Sequence, residues 1–335
     1  MSKASIESSV QEKHKNGGLL AEVYRPILGP LTEVENKLAE LWPEDKLFEE
    51  LPRLNFGGKR IRPAMVLLSS LSGKGPCPEV LKLAISVEIL HLATLVHDDI
   101  IDNSETRHGA PTLNKLLGGK TAVLIGDYLY ALFLEHAAGL GRYSLSRLSR
   151  VLKDMIRAEI EQQTTLFNCK INEKDYLRRI SLKTGRFFSC CCKLGARAAG
   201  AGENFMRYLE LFGWLLGISF QIKDDLLDFT GDTASLGKPV AQDLRQGVLT
   251  LPVIHTLRHS PLKKEITGLI EKKELSEKTV TFIISEIIKS DSLAYTEKTA
   301  AEYARLAGRL LAGLPQNDGR ESLSALLDFV LTRNY

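Results

Sequence analysis

Apolar residues recur along most of this chain at the three- and four-residue spacing that turns one face of an α-helix toward a core. Leu31, Val34, Leu38, Leu41 and Trp42 mark the first such segment, and Pro43 closes it. Residues 64–71 form a short apolar helix pattern, and beyond Pro76 and Pro78 a longer one covers residues 80–102. Further helical patterns run over 121–138, 144–167 and 209–229, and 251–335 alternates apolar helical stretches with charged turns. Residues 103–112, interrupted at Gly109 and Pro111, and residues 231–239 read as loops. Alternating strand patterns and repeats of 20 to 50 residues are both missing, which predicts an all-α fold. No Pro/Gly/Ser-rich linker divides the chain, so residues 19–335 are expected to form a single domain behind a mobile polar tail, 1–18.

Two of these helices carry an unusual cargo. His97-Asp98-Asp99-Ile100-Ile101-Asp102 and Asp224-Asp225-Leu226-Leu227-Asp228 each place carboxylates at i, i+1 and i+4. A helix sets the first and last of these on one face and the middle one a residue's rotation away. The flanks, 85–96 and 209–222, are too apolar for a surface helix. Crowding carboxylates there costs free energy unless cations or donors offset them, and hard oxygen ligands point to Mg²⁺.

Basic and small residues supply the complementary chemistry. Phe56-Gly57-Gly58-Lys59-Arg60-Ile61-Arg62-Pro63 is a glycine-rich basic turn. Its free amides, with Lys59 and Arg62 on one side, suit a phosphate group as well as they suit open water. Arg107 and His108 lie in the loop after the first aspartate run, Lys183-Thr184-Gly185 opens a run of small residues, and Lys238 follows Gly237. Glu159, Glu161, Gln162 and Gln163 make one side of their helix polar, as a solvated face or as part of a wet cavity. Gly213 and Gly217, at i and i+4, permit close approach of a neighbouring helix.

Composition narrows the class. Hydrophobic residues at 44% and charged ones at 25% are those of a soluble globular protein, and a net charge of +3 excludes a broad nucleic-acid footprint. The 5 cysteines, three of them consecutive at 190–192, match neither zinc nor disulfide spacing and are expected as small buried residues in a reducing compartment. The polar start is not expected to be a signal peptide, and no apolar run is expected to reach membrane-span length. A cytoplasmic location is expected.

Assembled in order, the GGKRIRP turn, both DDxxD runs, the KTG, the Gly237-Lys238-Pro239 loop and Leu249-Thr250-Leu251-Pro252 resemble the trans-isoprenyl diphosphate synthases over most of the chain. That resemblance implies the isoprenoid synthase fold, a helical bundle around one central cavity with the aspartate runs facing across its mouth. Its activity would be condensation of isopentenyl diphosphate with an allylic diphosphate, farnesyl or geranylgeranyl, by ionisation, condensation and elimination. It assigns Asp98, Asp99, Asp102, Asp224, Asp225 and Asp228 to three Mg²⁺ ions on the allylic diphosphate, which Arg107, Lys183, Thr184, Gln221 and Lys238 also bind. Lys59, Arg62, His91 and the Gly58 backbone would take isopentenyl diphosphate, with His108 standing where relatives carry a second arginine. Val248 likewise replaces a basic residue. By the same resemblance the catalytic group comprises Asp98, Asp99, Asp102, Asp224 and Asp225, together with Arg107, Lys183 and Lys238.

Chain length in this family follows cavity depth before a bulky side chain. Ala93 and Thr94, one helical turn before the first aspartate, block little, and Leu132 and Phe133 are candidates for the floor. The product is then expected to be a hexaprenyl to decaprenyl diphosphate for a quinone side chain, made by a homodimer or by the catalytic subunit of a heteromer. A shorter-chain synthase is the alternative. A terpene cyclase of the same architecture would not need Lys59, Arg62 and His91, and a non-catalytic partner subunit would not need all six aspartates.

Overall fold

The computed structural model describes residues 18–41, 58–107, 110–231 and 240–333. The expected tail as far as residue 17, the helix end at Trp42 and Pro43, Gly57, His108 and the Gly237-Lys238-Pro239 loop lie outside the described residues, while Gly18, expected as the last residue of the tail, opens the first helix. What is described is helical almost throughout, as the periodicity predicts. The one exception is a minimal antiparallel hairpin, β1 (Thr106–Arg107) with β2 (Ala110–Pro111), inside the segment expected to be loop. Two compact units divide the chain: Met1–Ser149 with Phe188–Gly213 and Arg309–Phe329, and Arg150–Phe187 with Trp214–Gly308 and Val330–Tyr335.

In the first unit α1 (Gly18–Tyr24), α2 (Leu28–Ala39) and α3 (Ile61–Ser70) lead into α4 (Pro78–Ile101). After α5 (Leu113–Leu117), α6 (Gly119–Ala138) runs along α4, which also packs on α2 and α3. α4 is apolar on every side, because it is enclosed by these neighbours. Contrary to expectation it is long and apolar enough to cross a membrane, but 67% of its most apolar stretch is buried within the protein, and it carries Glu88 in mid-helix, as a core helix does. Gly126 on α6 lies so close to the His97 ring that a Cβ there would fall 2.2 Å from Nε2. That contact fixes α6 against the turn of α4 that begins the aspartate run.

α7 (Gly141–Thr164) starts in the first unit and ends in the second, where α8 (Glu173–Ile180) follows. Asn172 caps α8 through a reciprocal box with Asp175. A π-turn, Ser181–Gly185, then opens α9 (Arg186–Ala198). Cys190, Cys191 and Cys192 are buried in α9, where burial pushes the Cys190 and Cys192 thiols up to about 12, in keeping with their reading as small core residues. α10 (Glu203–Thr230) carries both expected close approaches: a Cβ on Gly213 would meet the Phe188 carbonyl at 2.6 Å, and one on Gly217 the Gly185 Cα at 2.8 Å. The remainder comprises α11 (Gln242–Arg245), α12 (Leu251–His259), α13 (Lys263–Glu271), α14 (Glu277–Lys289), α15 (Ser292–Leu311) and α16 (Asp318–Thr332). Tyr176, Ile222, Leu251, Ile266 and Ile283 belong to the apolar core of the second unit.

Candidate active site

The basic turn is built from the inside out. Arg60 caps α3 in the left-handed region (φ 50°, ψ 34°), a conformation that costs a non-glycine residue roughly 1 kcal/mol and persists only where its surroundings enforce it. Its Nη1 donates to Glu88 Oε1 at 2.9 Å and its Nε lies 3.5 Å from Glu35 Oε1. The Tyr24 hydroxyl donates to the Lys59 carbonyl. With Arg60 turned inward, its neighbours lie elsewhere: Lys59 Nζ sits 5.4 Å from the centroid of the Phe329 ring, and the Arg62 guanidinium 5.3 Å from that of Phe188. Arg62 Nη1 is 2.8 Å from His91 Nε2 on α4. Arginine only donates, so Nε2 accepts and the imidazole carries its proton on Nδ1. Lys59, Arg62 and His91 are thus gathered around one turn, opened by Gly58.

Farther along α4, the first aspartate run occupies the C-terminal turn, where free carbonyls already concentrate negative charge. Asp98 and Asp102 are half-buried, and the Asp102 amide closes on the Asp98 carbonyl at 2.8 Å. Asp99 faces the protein instead. Arg107 Nε donates to both its oxygens at 2.9 and 3.1 Å, and Nη2 adds a contact at 2.7 Å. Tyr130, from α6, is pushed up to about 12 by burial and then by Asp98 and Asp127. Ala93 is fully buried and Thr94 nearly so, its hydroxyl donating to the His91 carbonyl at 2.7 Å. On α6, Phe133 is fully buried and Leu132 half-buried.

In the second unit the π-turn presents Lys183 and Thr184. π-Segments of this kind recur at functional sites, because the wider turn reorients side chains that a regular helix would point elsewhere. Lys183 Nζ donates to Glu159 Oε2 at 2.6 Å. Burial works to raise the Glu159 carboxyl, but Lys183 and the Gln163 amide outweigh it and hold it below the usual range. The Thr184 hydroxyl donates to Gln221 Oε1 at 2.7 Å, and Gln221 Nε2 donates to Asp225 Oδ1 at 2.9 Å. Asp225 Oδ2 accepts from the buried Tyr176 hydroxyl at 2.7 Å. Asp228 takes the amides of Gln242 and Asp243 at 3.0 and 3.1 Å, and Asp224 pairs with Arg333 at 2.8 Å. Val248 is core: its amide donates to the Asp243 carbonyl at 2.9 Å.

Comparison with known proteins decides what this arrangement is. A sequence model of the polyprenyl synthetase family matches residues 45–287. The chain belongs to that family. It is a polyprenyl diphosphate synthase, a prenyltransferase. This synthase is 38% identical over 283 residues to heptaprenyl diphosphate synthase component 2 of Geobacillus stearothermophilus, an alignment covering 84% of this chain and 88% of the relative. Among solved structures, polyprenyl synthase from Caulobacter crescentus, complexed with calcium and isoprenyl diphosphate, superposes with a TM-score of 0.89 at 31% identity, covering 94% of this chain and 98% of that one. Heptaprenyl diphosphate synthase from Staphylococcus aureus gives 0.86 at 34% identity, covering 91% and 98%.

The synthase's second aspartate run also tests for the divalent metal that the family uses. Among the described residues no three carboxylate, histidine or cysteine side chains form a ready-made metal site. Burial, together with the carboxylate of Asp243, nevertheless pushes Asp225 up to about 7 and Asp228 up to about 8. A cluster whose members raise one another in this way is short of positive charge, and a hard cation with oxygen preference fits it.

Four residues of the synthase escaped the motifs. Glu88 had a readable signal, a lone carboxylate in the middle of an apolar helix, which in a folded chain must be paired. Arg333, just past the apolar end of α16, had the same signal in cationic form. Tyr176 and Asp243 had none, because their roles depend on neighbours 49 and 15 positions away, Asp225 and Asp228 respectively.

Proposed function

We propose that this synthase extends an allylic diphosphate, farnesyl or geranylgeranyl, with isopentenyl diphosphate to a medium- or long-chain all-trans product in the hexaprenyl to decaprenyl range. The observation that carries the reading is Ala93, fully buried on α4 one turn before the first aspartate. A methyl group stands where a short-chain enzyme needs a stop. The names of the relatives, heptaprenyl among them, point the same way.

In this reading Asp98 and Asp102 on α4 and Asp224 and Asp228 on α10 would hold Mg²⁺, which supplies positive charge to the departing diphosphate. Asp99 orients Arg107 toward that diphosphate, and Asp225 orients Gln221 and, through it, Thr184. Lys183 and Lys238 add cationic charge where negative charge grows as the carbon–oxygen bond ionises. Lys59, Arg62 and His91 hold isopentenyl diphosphate, whose double bond attacks the allylic carbon. The proton lost to complete the new double bond goes to the released diphosphate. Buried apolar side chains keep water from the cation.

The product serves a quinone side chain, and the enzyme works in the cytoplasm as one catalytic domain. A second reading, the catalytic half of a heteromer, is favoured by the words "component 2" in the name of the Geobacillus relative. Purified protein given Mg²⁺, labelled isopentenyl diphosphate and each primer in turn should yield products of thirty to fifty carbons after dephosphorylation. Products of twenty carbons or fewer would refute the assignment. Size-exclusion chromatography with the same assay separates an active homodimer from a chain that needs a partner.

A further inference from the structure

We propose that Arg60, which the motif reading leaves without a role, is a positioning residue for the isopentenyl diphosphate turn, acting with Glu88 and Tyr24. The inference rests on the assignment of Lys59, Arg62 and His91 to that substrate. The turn has a strained point at its centre, the left-handed backbone of Arg60, and three elements hold it there. From α4, Glu88, only 3% exposed, accepts from Arg60 Nη1 at 2.9 Å. From α2, Glu35 Oε1 lies 3.5 Å from Nε. From α1, the Tyr24 hydroxyl donates to the carbonyl of Lys59, the residue just before.

The consequence is geometric. Arg60 points inward while the basic residues that flank it are directed elsewhere, Lys59 toward Phe329 and Arg62 toward His91 and Phe188. The guanidinium also underlies Gly58: a Cβ added there would come within 3.4 Å of Nη1. On α4, Glu88 and His91 stand three residues apart on one face, so a single helix fixes Arg60 through the first and Arg62 through the second. Holding ligand groups in place before the substrate arrives lowers the ordering cost of binding, so loosening the anchor should act on the affinity for this substrate alone.

The test is steady-state kinetics on the full chain, varying isopentenyl diphosphate and the allylic primer separately, with melting temperatures alongside. Arg60→Met and Glu88→Gln should raise KM for isopentenyl diphosphate about tenfold and leave KM for the primer within about twofold. Arg60→Lys, which keeps a donor toward Glu88, should recover part of the loss. Tyr24→Phe, which conserves volume and removes only the hydroxyl, should give a smaller rise of the same selective kind and keeps the test open if the charge variants fail to fold. Lys59→Ala serves as reference. If Lys59→Ala raises KM for isopentenyl diphosphate and the anchor variants do not, or if they raise both KM values in step with a lower melting temperature, the positioning role is overturned while the substrate assignment stands. If Lys59→Ala itself leaves that KM unchanged, the assignment falls and the positioning role with it.

Discussion

Arg107 closes a fork on Asp99, with Nε 2.9 Å and Nη2 2.7 Å from the same oxygen, Oδ1, and the carboxylate only 9% exposed. This relationship separates the three aspartates of the first run. Asp98 and Asp102 share a face at the end of α4, whereas Asp99 spends its charge on the arginine that returns from β1. The hairpin is short, yet it matters, because pairing Arg107 with Ala110 fixes where that arginine's backbone lies.

Asp99→Asn should therefore impair the enzyme differently from Asp98→Asn or Asp102→Asn. Loss of the fork should lower kcat/KM for the allylic substrate about a hundredfold while Mg²⁺ affinity changes little, because what is lost is the aim of a charge-stabilising donor. Changing Asp98 or Asp102 should weaken Mg²⁺ binding as well. Metal titration by calorimetry with a diphosphate analogue, beside steady-state kinetics, checks the order; the opposite ranking would contradict it.

His91 accepts a hydrogen bond from Arg62 rather than offering a charge. His91→Ala should raise KM for isopentenyl diphosphate about tenfold, in line with roughly 1.4 kcal/mol for the lost orientation of Arg62. His91→Gln, whose carbonyl can accept the same bond, should cost less. Equal effects would mean that the imidazole acts by some property other than its acceptor.

The second aspartate run makes a prediction about metal-free protein. Asp225 and Asp228 are raised from 3.8 to about 7 and about 8, first by burial and then by Asp243. A carboxyl raised on folding favours the folded state at low pH and loses that contribution as pH climbs through the folded value. Without metal, stability should thus decline between about pH 4 and pH 8. Mg²⁺, by supplying the missing charge, should raise the melting temperature more at pH 8 than at pH 5. Scanning fluorimetry with and without Mg²⁺ measures both, and a metal effect independent of pH would argue against the charge deficit.

Ala93→Phe should shorten the product, because the side chain would grow by a ring at a fully buried point of α4. Overpacking there should also cost about 1 to 3 kcal/mol of stability. Chromatographic sizing of the dephosphorylated products, compared with wild type under identical conditions, gives the answer. An unchanged product spectrum would place the depth limit elsewhere.

How much of this was readable beforehand varies from residue to residue. The aspartate runs, the basic turn and the KTG were legible because each is a local pattern, recorded in positions adjacent in sequence. The close approach expected at Gly213 and Gly217 was legible for the same reason, and in the structure a Cβ added at either would fall within 3 Å of a neighbouring backbone atom. The π-turn at Ser181–Gly185 was not, since a π-turn and an α-turn differ by one hydrogen-bond step that composition does not record. Nor was the inward turn of Arg60, which looks in sequence like one more cation in a row of three.

Alone, the sequence determined the helical class, the family, and where acidic and basic residues gather along the chain, because helical periodicity and motif order are properties of the chain itself. Only tertiary structure decided which charges are already spoken for: Asp99 by Arg107, Arg60 by Glu88, Asp225 by Tyr176 and Gln221. The reason is that pairing depends on burial and on distance in space. A buried charge must find a partner, and the partner is chosen by which helices pack together, from positions that the linear order does not bring side by side.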